Sequence, residues 1–352
     1  MNHNLLVGQS GGPTAVINGS LYGVVSEGLA NPEIDNVIGM VNGIEGFLAD
    51  HTIDMAPLKE NGELERIRTT PGSYLGSCRY KLPENLSDPV YPELFQKFTE
   101  KEISYFFYIG GNDSMDTVSK LSRYAATVGS DIRIIGVPKT IDNDLVLTDH
   151  TPGYGSAAKY VASTVREIAI DASVYDNKPS VTIVEIMGRH AGWLTAASVL
   201  ARKFKGDNPV LIYLPEVAFS PDTFIEKVKE KLGIKVRSVE LNVCQRCSSS
   251  CLSATDLDEA AASGRFAVSA ALDGETGKMI NFIRKSDDPY ILEFGTADVN
   301  EICNKEKAVP EEWITKDGSD IGDEFIAYAR PLIQGSVEVP MKDGLPYFAF
   351  RK

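Results

Sequence analysis

Short apolar, β-branched runs alternate with helical stretches along almost the whole chain, and few folds accept that alternation. Strands are predicted at Asn4–Val7, Asn36–Val41, Ile103–Ile109, Ile132–Val137, Ser180–Ile186, Val210–Leu214 and Val236–Leu241. Helices are predicted at Ala157–Ala172 and Asp256–Leu272. The pattern is that of an α/β protein with a doubly wound, mainly parallel sheet. At 352 residues the chain is long enough for two domains, or one large α/β unit, with an ample core. It shows no repeat at a short fixed period and no low-complexity tract.

The strand-to-loop transitions carry the chemistry. An open α/β sheet binds its ligands at the carboxyl ends of its strands. Two predicted strands run directly into Gly110-Gly111-Asn112-Asp113-Ser114 and Pro138-Lys139-Thr140-Ile141-Asp142-Asn143-Asp144. Two others lead into Gly8-Gln9-Ser10-Gly11-Gly12 and Met187-Gly188-Arg189. Glycine lets backbone N–H groups approach phosphate at a helix N-terminus. A single loop of this kind is as readily a tight turn, with Pro13 early in the following helix. Four in one chain point to phosphate. Together they offer amides, one fixed cation and two carboxylates two residues apart, the equipment of phosphoryl transfer. An isolated Asp-Asn-Asp reads as a solvated turn; beside Lys139, Thr140 and the glycine run it reads as a reaction site. In an extended segment Asp142 and Asp144 point to one side and Asn143 to the other.

Composition narrows the partners. Hydrophobic content of 43% and charged content of 24% are ordinary for a soluble globular protein. The apolar runs stop short of membrane-spanning length, and Met1-Asn2-His3-Asn4 lacks a signal peptide's basic, apolar start, so a cytoplasmic protein is expected. A net charge of -14 argues against nucleic acid and anionic membrane as partners. It also requires that any phosphate site be made positive locally by a few placed cations. Five cysteines do not suggest a disulfide framework. Three of them, Cys244, Cys247 and Cys251, have a spacing that could serve a metal, but no fourth ligand is evident, and small side chains packed where a strand enters a helix is the preferred reading.

On these residues the chain resembles the 6-phosphofructokinase family over nearly its whole length. The four loops, Leu75-Gly76-Ser77-Cys78-Arg79 and Gln245-Arg246 all fall in the family's order. The resemblance implies two doubly wound Rossmann-like domains with mainly parallel sheets: a phosphate-donor domain over 1–150, a sugar-phosphate domain over 151–250, and a mainly helical segment over 251–352 returning to both. It implies Asp142 as the general base for a sugar C1 hydroxyl, a role a carboxylate can fill by orienting and activating a weak nucleophile. Asp144, Lys139, Asp113 and Arg189 join it as catalytic candidates. Arg79 and Arg189 would stabilise charge on the phosphoryl group in transit, and the Gly11 backbone would hold the donor. Thr140, Ile141, Met187 and Gly188 would position the sugar phosphate. Arg246 would bind its 6-phosphate, and Arg237 would do so from a neighbouring subunit, so a homodimer or homotetramer is expected.

The donor is read from two positions. ATP-using members resemble this chain but carry glycine where Asp113 and Lys139 stand. Lys139 would put its ammonium where the α-phosphate of ATP would lie, and Asp113 adds bulk and negative charge nearby. Pyrophosphate has no α-phosphate or nucleoside, and Lys139 can neutralise it and support the leaving group. The alternative is that Lys139 faces solvent and Asp113 caps a helix. The reaction implied is reversible transfer from pyrophosphate to fructose 6-phosphate, giving fructose 1,6-bisphosphate in glycolysis, with Mg2+ bridging the pyrophosphate oxygens.

Two departures from the family pattern stand out. Asn112 occupies a position where many members carry an aspartate associated with magnesium; its amide oxygen is a poorer ligand, leaving the metal mainly to pyrophosphate and water, with Asp113 or Asp142 compensating. After Leu214-Pro215-Glu216, Val217–Gly233 supplies one helix, but the strand and substrate-binding glutamate expected before Val236–Leu241 are missing. Loss of a buried parallel strand would expose sheet edges and core, so a segment left out of the sequence is preferred to a true deletion. A true deletion would predict weak or absent activity. The rivals are ATP or sedoheptulose 7-phosphate as substrate on the same fold, and a non-catalytic phosphate-binding subunit. A nicotinamide oxidoreductase fails for want of a G-x-G-x-x-G with its downstream acid at the first strand. His3, His51, His150 and His190 receive no catalytic role, and Trp193 and Trp313 read as packing residues.

Overall fold

A computed structural model of the chain describes residues 3–174, 180–222, 224, 225 and 235–351. Its first strand, β1 (Asn4–Gln9), is buried along its whole length because parallel neighbours flank it and apolar layers cover both faces. Leu5 and Val7 enter one hydrophobic cluster and Leu6 the other, the period-two alternation that divides a sheet's core into two layers. The remaining strands are β2 (Val37–Met40), β3 (Thr52–Asp54), β4 (Ile103–Gly110), β5 (Arg133–Pro138), β6 (Ser180–Glu185), β7 (Lys235–Glu240), β8 (Lys278–Asp287), β9 (Tyr290–Asp298) and a short antiparallel pair, β10 (Met341–Lys342) and β11 (Leu345–Pro346). A seven-stranded sheet has the order β3-β2-β1-β4-β5-β8-β9. Its inner pairings are parallel; only the edge strands β3 and β9 run antiparallel to their neighbours.

The helices that matter to the site are α1 (Ile17–Gly28), α2 (Asn112–Val128), α3 (Tyr154–Ser173), α4 (Cys244–Cys247), α5 (Ala254–Leu272) and α6 (Asp323–Ala329). α1 and α5 cross in backbone contact. A Cβ on Gly23 would stand 2.0 Å from the Ala261 carbonyl oxygen, and one on Gly264 2.3 Å from that of Ser20, so only glycine allows this approach. α5 begins at Ser253, whose hydroxyl accepts from the Asp256 N–H. The buried Asp256 carboxylate then accepts from the N–H groups of Gly153 and Ser156, tying α5 to the start of α3.

In the second half, β6 and β7 form a two-stranded parallel sheet among the described residues. A third cluster gathers Tyr154, Trp193, Leu200, Phe325 and Tyr328, and Trp313 packs against it, so both tryptophans are packing residues. Two expectations need correction. Val210–Leu214 is not a strand: Ile212 finds one backbone acceptor, Ser319, and the apolar side chains of Ile212 and Leu214 serve the third cluster instead of a ladder. The segment 251–352 is not mainly helical, since β8 and β9 form a long hairpin that extends the first sheet beyond β5. The shortening expected between Val217 and Lys235 falls on a stretch of which 223 and 226–234 lie outside the described residues. The helix expected over Val217–Gly233 lies largely outside the described residues.

Candidate active site

Every loop singled out in the sequence leaves the carboxyl end of a parallel strand, and the loops meet around a cavity of about 350 Å3. From β1 comes Gly11, with φ +78°, a conformation suited to glycine. From β4 comes the N-terminus of α2, and from β5 the run Lys139–Asp144. Met187 and Arg189 follow β6, and Arg246 follows β7 on α4. Side chains lock the loops to each other. Gln9 donates to Asn18 and accepts from the Leu75 N–H, and Ser77 donates to the Gly11 carbonyl, which brings Arg79 to the glycine loop. Gln245, buried, accepts from the Met187 N–H and joins the ends of β6 and β7.

The carboxylate run is a turn, not the extended segment expected. Thr140 hydroxyl accepts from the Asp142 N–H at 3.1 Å, and Asn143 lies in the left-handed region at φ +57°. The outcome is nevertheless the one extended geometry predicts: Asp142 and Asp144 line the cavity while Asn143 is fully buried behind them. Burial and the neighbouring Asp142 push the Asp144 carboxyl up to about 6, with Glu306 adding to the effect.

Lys139 does not face solvent. It is 3% exposed and its ammonium donates to the Gly12 carbonyl at 2.8 Å. Burial brings its pKa down to about 8; Asp142 and Asp144 oppose that fall, while Arg246 and Arg79 add to it. A cation that titrates near neutrality, on a glycine loop with two arginines close by, is a local seat for an anion in an acidic protein. Arg246 reaches the same loop: its Nη1 stands 3.3 Å from where a Cβ on Gly12 would be. Asp113 lies in the first turn of α2, makes no capping bond, and pairs with Lys81 at 2.9 Å.

Gly188 sits between Met187 and Arg189 at φ +132°, where a Cβ would meet the Ala191 carbonyl oxygen at 2.5 Å. Gly188 itself does not line the cavity, and neither does Arg237, which pairs with Asp171 at 3.5 Å beside a separate depression between α3 and β7. Asn112 donates to the Lys305 carbonyl and accepts from the Asn304 N–H, so its amide is spent on holding the 304–307 loop. Among the described residues, no three histidine, cysteine or acidic side chains converge to hold a metal. Cys244 and Cys247 are exposed on α4 and Cys251 is partly buried, so the thiols are not the packed side chains expected.

The phosphofructokinase family profile matches residues 4–263. The chain belongs to the phosphofructokinase family. A pyrophosphate–fructose 6-phosphate 1-phosphotransferase of Halomonas elongata is 36% identical, with 99% of this chain and 96% of that protein covered. One from Xanthomonas campestris pv. campestris is 37% identical, covering all of this chain and 96% of its own length. The crystal structure of a pyrophosphate-dependent phosphofructokinase from Marinobacter aquaeolei superposes with a TM-score of 0.92 at 37% identity, over 98% of this chain and 95% of that one.

The Halomonas alignment spans 404 positions, so about fifty of them have no residue of this phosphofructokinase opposite them. Two cavity residues received no role in the sequence reading. Glu306 arrives on the loop that Asn112 holds, far from any motif. His190, set aside as a bystander, accepts from Arg189 Nε at 2.9 Å and so orients that guanidinium. Its position next to Arg189 was the only signal.

Proposed function

We propose that this phosphofructokinase transfers a phosphoryl group reversibly from pyrophosphate to the C1 hydroxyl of fructose 6-phosphate. The observation that carries the reading is Lys139, buried on the Gly11–Gly12 loop with its ammonium on the cavity side; two relatives matching the chain end to end bear the name of this activity. Pyrophosphate lies against the glycine-loop amides, Lys139 and Arg79. Asp142 takes the proton of the C1 hydroxyl as the new C–O–P linkage forms, and the bridging P–O bond breaks to release phosphate. Lys139 neutralises the departing phosphate, Arg189 the group in transit, and Arg246 binds the sugar's 6-phosphate.

The residues fit magnesium bound chiefly by its substrate, since Mg2+ is commonly held by one or two carboxylates together with phosphate oxygens. Asp113, Asp142, Asp144 and Glu306 are the carboxylates in the cavity, Asp113 paired with Lys81 and Asn112 engaged elsewhere. When bound, the ion supplies neutralising charge on the phosphate oxygens. Arg237, 40% exposed and outside the cavity, supports its assignment to a neighbouring subunit's site in a homodimer or larger oligomer. Among the described residues no helix is long and apolar enough to cross a membrane.

The test is turnover of fructose 6-phosphate with magnesium, pyrophosphate against ATP, with sedoheptulose 7-phosphate as a second acceptor. Turnover with pyrophosphate alone is expected. Equal or better turnover with ATP would overturn the donor assignment, and turnover confined to the longer sugar would overturn the acceptor.

A further inference from the structure

We infer that Tyr328 is a positioning residue for phosphoryl transfer, acting through Asn143; the inference rests on the assignment of the site given above. Asn143 separates the two cavity carboxylates, is fully buried, and holds a left-handed backbone that asparagine tolerates better than other residues carrying a Cβ. Both ends of its side chain are engaged. Its Oδ1 accepts from the Thr151 N–H at 3.1 Å, and its Nδ2 donates to the Tyr328 hydroxyl at 2.8 Å. That hydroxyl in turn donates to the Asp149 carbonyl at 2.8 Å. Asn143 is thus pulled away from the cavity by two fixed groups, and the residues before and after it are turned in.

Tyr328 is well placed to be such an anchor. It stands on α6, its ring 5.2 Å from that of Trp193 and 4.6 Å from the Arg284 guanidinium carbon. Arg284 bonds the Tyr328 carbonyl at 2.9 Å and the Asp149 carboxylate at 2.8 Å, so ring, backbone and acceptor are held together. Thr151 closes the circuit by donating to the Thr140 carbonyl at 2.9 Å, at the start of the catalytic turn. Without the hydroxyl, a buried amide donor loses its partner and the left-handed turn loses one of its two restraints.

Tyr328→Phe keeps the ring and removes only the hydroxyl. The expected result is a fall in kcat of about tenfold to hundredfold, with KM for pyrophosphate and sugar phosphate changed less than about threefold, because a misplaced base costs the reacting geometry and not the binding. Asn143→Gly, which suits the positive φ but lacks the amide, is expected to lose a similar factor, and the double variant no more than the worse single one. Hydrogen exchange of the 140–152 backbone, read by mass spectrometry, is expected to quicken in both variants whatever the turnover. Unchanged exchange in both variants overturns the clamp, as does kcat within twofold of wild type. A loss shared by kcat, both KM values and melting temperature would mark a structural role only and would equally overturn it. If wild type turns over no acceptor, the functional reading fails, and the exchange result still decides whether Tyr328 holds the turn.

Discussion

The proposed donor site turns on the charge of Lys139, and burial makes that charge sensitive to pH. With its folded pKa at about 8, free protein holds the ammonium fully charged at pH 6.5 and largely neutral at pH 9.5. A diphosphate seated on the Gly11–Gly12 loop requires the charged form, so binding competes with deprotonation. Affinity should then weaken by about twofold at pH 8 and about elevenfold at pH 9 relative to pH 6.5, approaching tenfold per pH unit beyond. Lys139→Met keeps the stem and removes the titration. The readout is calorimetric affinity for methylenediphosphonate, taken as the ratio of wild type to variant at each pH so that the ligand's own ionisation cancels. The ratio should be large and flat below pH 7.5 and fall steadily above pH 8. The same burial makes a stability prediction of opposite sense. A lysine whose folded pKa lies below its unfolded value binds fewer protons when folded between pH 8 and 10.5, so its cost is full below pH 8 and is relieved as pH rises through that window. Lys139→Met should therefore be the more stable protein at pH 7, by at most about 3 kcal/mol, while binding diphosphate more weakly. A ratio that stays constant from pH 6.5 to 9.5 would refute the reasoning, because Lys139 would then not meet the donor as a cation.

Asp142→Asn should lower kcat by about 10²–10⁴ with little change in KM for pyrophosphate, measured by steady-state kinetics, since it removes the proton acceptor and leaves the donor loop intact. Asp144 has a folded carboxyl pKa raised to about 6 by burial and by Asp142; its contribution to stability is present below about pH 4 and lost as pH rises through 6. Asp144→Asn should accordingly gain up to about 2 kcal/mol in urea unfolding at pH 7.5 while losing activity. His150 is fully buried; burial lowers its pKa, but Glu259 and Asp149, each 2.7 Å from a ring nitrogen, outweigh that and hold the imidazolium up to about 9. Its stabilisation is complete below pH 6.5 and lost as pH rises through 9. His150→Gln should cost about 3 kcal/mol at pH 6 by leaving buried carboxylates uncompensated, with the gap to wild type narrowing by pH 9.5 in the same unfolding assay.

What the sequence discloses here is what local backbone demands write into it. Strands buried on both faces read as continuous apolar runs, and loops that turn sharply above them need glycine, so β1, β4 and β5 and their loops were legible together with Lys139, Asp142 and Asp144. Val210–Leu214 misled because burial and strand pairing call for the same apolar residues; Ile212 is buried without joining a ladder. The β8–β9 hairpin was hidden because its outer half alternates partly exposed with exposed residues. Glu306 and Tyr328 reach the site from segments whose own pattern says nothing about it. Asn143 is the instructive case. Its position between the carboxylates was plain, yet its left-handed backbone depends on a hydroxyl 185 residues away.

A true shortening between Val217 and Lys235 would bear on one side of the site more than the other. The donor side is built on the first sheet, whose two apolar layers are intact and whose loops are tied by Gln9, Ser77 and Lys139. The acceptor side relies on Met187, Arg189 and Arg246 at the ends of β6 and β7, strands that pair directly from Ser180 opposite Lys235 to Glu185 opposite Glu240. Ile183 on β6 is 44% exposed, and Ile170 and Val174 at the end of α3 are 54% and 66% exposed, an apolar surface beside the two-stranded sheet. What keeps this reduced sheet aligned with the cavity is Gln245, which fixes the Met187 loop to α4. The consequence of such a shortening should therefore fall chiefly on sugar binding: a high KM for the acceptor beside an ordinary affinity for pyrophosphate, because the donor loops and Asp142 stand on the first sheet.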